Sequence, residues 1–169
     1  MTAILKYAPA GFAGRVSRPG SYEITESRVV SATNTPTAYG QAVILNASGL
    51  AALPISSTSA IYGVIVQSYP VQQTAGGMSA SFGAGTPTAS NPDNILVSGY
   101  VNVALNTADT APVAGGAVYV QLIAETGYVV GQFRTAASGT SGNSLLVTNA
   151  KWASTGVTAS GIAEVAFNI

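Results

Sequence analysis

The twelve side chains that carry charge are Lys6, Arg15, Arg18, Glu23, Glu26, Arg28, Asp93, Asp109, Glu125, Arg134, Lys151 and Glu164, and there is no His and no Cys in the 169 residues. These twelve are therefore the whole stock of side-chain charge for ionic chemistry. Without His or Cys, neither a Ser-His-Asp nor a Cys-His nucleophile can be assembled, and thiolate-ligated zinc is excluded with them. Glu23 and Glu26 are close enough to suggest a glycosidase pair. On a strand, however, residues three apart point to opposite faces, and no third carboxylate lies nearby in sequence. Asp93, Asp109, Glu125 and Glu164 stand singly, without the Asp-x-Asp spacing of a calcium or magnesium loop. The glycine clusters Gly76-Gly77, Gly83 to Gly85 and Gly115-Gly116 have no following Lys and read as turns, not phosphate loops. The expectation is a protein that is not an enzyme, with no catalytic residues, no metal and no cofactor.

The charge is unevenly placed. Lys6, Arg15, Arg18, Glu23, Glu26 and Arg28 make up half of it, and none follows between Val29 and Pro92. The segment "YAPAGFAGRVSRPGSYEITESR" (7–28) contains Pro9, Gly11, Gly14, Pro19 and Gly20, which argue against helix and against a long regular strand. An extended N-terminal arm over 1–22 is the natural form. Its apolar members Tyr7, Phe12 and Val16 favour a protein surface over water, and Arg15, Arg18 and Arg28 have the fork geometry to grip carboxylates of a partner. The alternative is that the arm packs on its own domain, with the arginines paired to Glu23 and Glu26.

The elements that position these residues are β-strands. Net charge is zero with 47% apolar residues and 7% charged, a composition that excludes ordinary disorder and leaves no electrostatic footprint for nucleic acid or an anionic membrane. A compact monomer of this mass has about 7,700 Å² of surface, roughly 640 Å² per charge, so much of the surface is expected to meet protein. There is no apolar run of membrane-spanning length, and no signal-peptide pattern, so the chain is expected to be made and used without crossing a membrane. Asn46-Ala47-Ser48 fits a glycosylation acceptor, a pattern short enough to arise by chance.

Strands are expected near 23–30, 41–46, 61–67, 95–105, 117–123, 128–133, 144–149 and 161–169, separated by turns rich in Gly, Asn and Pro. This spacing predicts an all-β fold, a barrel or sandwich of short antiparallel strands over 23–169, with a long loop at about 71–92. "AETG" (124–127) predicts a tight hairpin with Gly127 at positive φ. In the last strand, alternation puts Ala163, Val165, Phe167 and Ile169 on one face and Ile162, Glu164, Ala166 and Asn168 on the other. Tyr62, Tyr69, Tyr100, Tyr119, Tyr128, Phe133 and Phe167 are expected in core or cross-strand packing. Trp152 reads equally as a core plug or as a subunit-interface anchor. Arg134 is expected on the solvent side of its strand.

The opening "YAPAGFAGRVSRPGSYEITESR", then "YGQAVILNASG…IYGVIVQSYP", "ILVSGYVNVAL…GGAVYVQLI…GYVVGQF" and the closing "AKWASTGVTASGIAEVAFNI", in this order, resemble the structural cement or decoration proteins of tailed bacteriophages. The resemblance implies a β-rich virion protein, made in the host cytoplasm, that binds the outer capsid surface at symmetry axes and stiffens the lattice. Its implied partners are the major capsid protein and further copies of itself, a trimer in preference to a dimer. Candidate contact residues at the capsid or at a neighbouring subunit are then Tyr7, Phe12, Arg15, Arg18, Glu23, Glu26, Arg28 and Trp152. A glycan- or receptor-binding β-domain of a phage fibre or adhesin is the alternative. It calls for tip loops rich in Tyr, Trp, Asn and Asp, whereas 71–92 offers only Met78 and Phe82 for stacking.

Overall fold

In the computed structural model, residues 13–18, 20, 23–67 and 86–169 are described, and every regular element among them is a strand. The strands are β1 (Ile24–Val29), β2 (Ala42–Leu45), β3 (Ala51–Ala52), β4 (Gly63–Val66), β5 (Pro92–Ala104), β6 (Ala117–Gln121), β7 (Phe133–Arg134), β8 (Ser144–Trp152) and β9 (Ile162–Phe167). They hydrogen-bond antiparallel in the order β3-β2-β4-β5-β9-β8-β6-β7, with β1 joined to β5. The sheet is all-β as expected and curls into a half-barrel.

β5 is the organising strand. Its first half pairs with β1 and β4 and its second half with β9. Leu96, Val101 and Val103 share one core, although strict alternation would put Leu96 on the opposite face from the other two. A one-residue slip therefore lies between them. The β1 register shifts there, from Ser98 opposite Ile24 to Leu96 opposite Thr25. Gly99 lies at the slip with φ 138°, a conformation suited to glycine. A Cβ on Gly99 would stand 3.1 Å from Leu96 Cδ1 and 3.5 Å from Glu23 Cα, so the incoming chain crosses close over this point.

Two cores explain the uninterrupted apolar runs "AVIL", "GVIV" and "NILV". Ala42, Val64, Val66 and Leu96 face the larger core, with Phe133, Val147, Trp152, Val165 and Phe167. Val43, Ile65 and Ile95 face the smaller one on the other side, with Val30 and Ala51. Strands buried on both faces lose the alternation that a half-buried strand keeps.

Several expectations are corrected. The strand expected at 128–133 is mostly turn: Gly131 has φ 81°, its carbonyl accepts from Ala42 N–H and its N–H donates to the Gln121 carbonyl. It therefore stitches β6 to β2, and only Phe133 and Arg134 are strand. β5 begins at Pro92, earlier than expected, and β8 runs on to Trp152. Ala163, Val165 and Phe167 are buried as the alternation requires, but Ile169 lies past the strand end, after Asn168 at φ 54°, and is 60% exposed. The hairpin at 124–127 forms, closed by a bridge between Glu125 and Tyr128, with Gly127 at φ 83°.

Candidate functional site

Residues 13–18 lie along the second half of β5. Gly14 N–H donates to the Asn102 carbonyl (2.7 Å), Asn102 N–H to the Arg15 carbonyl (2.9 Å) and Ser17 N–H to the Tyr100 carbonyl (3.0 Å), while Gln67 N–H donates to the Gly14 carbonyl (2.8 Å). Gly14 (φ 77°) is required: a Cβ there would run into Tyr39, and one on Gly40 would lie 2.7 Å from Gly14 N. Val16 packs against the larger core. The root of the N-terminal segment is thus laid against β5 by backbone pairing, with a single bridge between Val16 and Val101. Tyr7, Phe12, Tyr69 and residues 71–85 of the expected loop lie outside the described residues.

Three arginines each stand over a tyrosine ring and against their own chain's carboxylates. Arg18 lies 4.3 Å above Tyr100. It grips Glu164 with both arms of the fork, Nε to Oε1 at 3.0 Å and Nη2 to Oε2 at 2.5 Å, and Ser17 Oγ also donates to Oε1 (2.5 Å). Arg28 Nη2 donates to Glu26 Oε2 (2.5 Å) and to Tyr62 Oη (2.9 Å), and Tyr62 donates to the same Glu26 oxygen. The Tyr62 hydroxyl, then Arg28, hold the Glu26 carboxyl below its ordinary value. Both side chains of this pair are more than a third exposed, so it adds little to stability.

The third cluster is buried. Arg134 Nη1 donates to Gln121 Oε1 (2.7 Å) and to Glu125 Oε2 (3.4 Å), its Nε is 3.9 Å from Asp109 Oδ1, and its guanidinium lies 3.9 Å from the Tyr128 ring centre. Tyr128 donates to Asp109 Oδ1 (3.0 Å). Asn143 and Ser138 donate to Glu125 Oε1 and pull its carboxyl down, whereas burial pushes Asp109 up. The solvent-side expectation for Arg134 is overturned: the residue is 7% exposed. Its placement follows from β7 pairing with β6, which sets it opposite Tyr119, from where its guanidinium reaches Gln121, itself fully buried. The sequence carried one signal for this, since Arg134 is the only cation between Arg28 and Lys151 and three acids, Asp93, Asp109 and Glu125, stand between Arg28 and it.

These pairs dispose of seven charges within the chain, Arg18, Glu26, Arg28, Asp109, Glu125, Arg134 and Glu164. Arg15 and Lys151 are exposed, Glu23 is half-buried, and none of the three has an ion pair among the described residues. Trp152 is 2% exposed and fills the larger core of its own chain. Exposed apolar side chains instead include Ile24, Val29, Ile55, Val113, Ile123, Val129, Leu146, Val157 and Ile169.

Tyr39 accepts no charge easily. Burial first, and then the neighbouring Asp93 carboxylate, push its hydroxyl up to about 12 from 10. A folded value above the unfolded one means that the folded state holds this proton longer. The contribution to stability is whole below pH 10 and is lost as pH rises toward about 12. Between those values, wild-type stability measured by urea unfolding is expected to fall more steeply with pH than that of Tyr39→Phe. Parallel slopes would show that Tyr39 does not titrate as its surroundings require.

Over residues 2–168 the chain matches the family model described as structural cement protein (E217 gp24/Pam3 gp6). Among solved structures it is similar to a chain from the capsid of Myoviridae phage XM1. That likeness has a TM-score of 0.68 at 20% identity and covers 98% of this chain and 95% of the other. At this identity the structural likeness establishes the shared fold. No curated protein matches the chain.

Proposed function

Because the chain belongs to the structural cement protein family, we propose that it is a virion component that binds the outer surface of an assembled bacteriophage capsid as a homo-oligomer and cements the lattice. The family match across residues 2–168 carries this reading. The surface is consistent with it: seven of the chain's twelve charges are spent on one another, and large apolar side chains stand exposed over several loops and strand ends. A neutral surface gives little long-range steering. It suits broad contacts that form once and need not release.

The mechanism is avidity. An oligomer that touches several capsomers turns each contact after the first into an intramolecular event, multiplying the affinity of single weak contacts by about 10²–10⁴ when the geometry allows simultaneous engagement. Spreading of the capsid under internal pressure must then break several contacts together. On this reading the N-terminal segment supplies reach toward the capsid or a sister subunit, with Tyr7 and Phe12 as apolar anchors. Arg15 and Glu23 are available for register, and Arg18, Glu26 and Arg28 act with their present partners.

DNA-filled capsids lacking the protein, and the same capsids after incubation with it, separate the cementing role from mere attachment. The decorated particles are expected to release DNA at a higher temperature. Identical release temperatures on fully decorated particles would contradict a cementing role.

A further inference from the structure

Glu164 sits in the middle of β9, opposite Asn102 of β5, yet its carboxylate is spent on residues close to the chain's start. Both oxygens are engaged: Oε1 accepts from Ser17 Oγ and Arg18 Nε, and Oε2 accepts from Arg18 Nη2. Arg18 is held on its other side by the Tyr100 ring. The Glu164 side chain is 13% exposed while that of Arg18 is 45% exposed, so the fixed partner is the acid and the arginine is the piece brought to it. Immediately before this clamp, three backbone hydrogen bonds tie Gly14, Arg15 and Ser17 to β5.

We infer that Glu164 is the positioning residue of the N-terminal segment: with Ser17, Arg18 and Tyr100 it forms a clamp that anchors the paired root, residues 14–17, on β5 and so sets the base from which the segment is presented to the capsid. The inference rests on the function proposed above. It also reassigns Arg18, which acts within its own chain, and leaves Arg15, exposed and without an ion pair among the described residues, as the cation of the described root available to a partner. A bidentate arginine-carboxylate pair suits the task because it fixes direction as well as distance, which a single hydrogen bond does not. The tether is short-range and holds before any partner arrives, so the segment's ordering cost on binding is reduced in advance.

The test uses Glu164→Gln, which keeps the side chain's shape and removes its charge, and the charge-swapped double variant Arg18→Glu with Glu164→Arg. Trypsin reads the clamp in the free protein. Arg18 precedes Pro19, so the informative cut is at the Arg15-Val16 bond, which the pairing to β5 protects. Glu164→Gln is expected to be cut there about tenfold faster and to bind undecorated capsids about tenfold more weakly, the size of effect one charge-assisted contact supports. The double variant is expected to recover most of both. An unchanged cutting rate overturns the clamp. Faster cutting with unchanged capsid binding overturns its role in presentation. Wild-type protein that fails to bind capsids would sink the proposed function instead, and the trypsin result would still decide whether the clamp exists.

Discussion

An Arg134→Met variant is expected to lose about 3–5 kcal/mol of folding stability at neutral pH, the cost of leaving a buried charge without its partner. Methionine fills much of the same length, so packing alone does not set the effect. What is lost is the one cation that, among the described residues, faces Asp109, whose side chain is 4% exposed, and Glu125, at 24%. Asp109 has the lesser support, since its Oδ2 is buried without a hydrogen-bond partner while Tyr128 serves Oδ1. Glu125 keeps Ser138 and Asn143. The deficit should therefore depend on pH in a definite sense. Burial already raises the Asp109 value, and loss of Arg134 raises it further. The folded variant thus takes up a proton at a pH where the unfolded chain does not, and it regains stability as the solution is acidified toward the ordinary carboxylate range. Urea unfolding at several pH values measures both effects. A domain of this size has about 5–15 kcal/mol in all, so an Arg134→Lys variant, which keeps the charge, serves if the methionine variant does not fold. A loss below about 1 kcal/mol at pH 7 would contradict the account of this cluster. Arg28→Met provides the contrast: its pair with Glu26 is solvent-exposed, and no measurable loss is expected.

Removing residues 1–12 is expected to weaken capsid binding by about 10²-fold, the lower end of what one lost tether costs a multivalent attachment. The cut is placed before Ala13 for a structural reason. Gly14, Arg15 and Ser17 hydrogen-bond to β5 and Val16 packs on the core. A deletion to residue 20 would therefore strip this pairing and the Val16 core contact as well, and would confuse loss of fold with loss of contact. The shorter truncation should unfold at the same urea concentration as wild type and elute at the size of a folded protein. A folded truncation that binds capsids as tightly as the full chain would show that the segment is not the reaching element.

The fold class was legible because turn residues and β-branched runs recur at strand spacing, and the hairpin at 124–127 was legible down to Gly127 at positive φ. Two things were hidden. The first is the slip in β5 at Gly99, which moves Leu96 and Val101 into the same core. Periodicity read across the slip merges two half-strands into one, and only the neighbouring glycine hinted at a bend. The second is the fate of the arginines. Sequence separation gives no measure of spatial distance, and a strand pattern points each arginine only to the acids near it in sequence. Arg28 does take Glu26, two residues away, but Arg18 takes Glu164, 146 residues away. For the aromatics, a place within a strand points to packing. Phe133 and Phe167 are fully buried and Tyr62 packs against the smaller core, but Tyr62, Tyr100 and Tyr128 also carry guanidinium groups, a use that no strand pattern encodes.

Titration of purified protein onto undecorated capsids, followed by sedimentation and counting of bound copies, tests the central claim most directly. The account predicts saturable binding that stops at a copy number commensurate with icosahedral symmetry, on the outer surface, with the bound protein arriving as an oligomer. Binding that never saturates, or none at all, would contradict it.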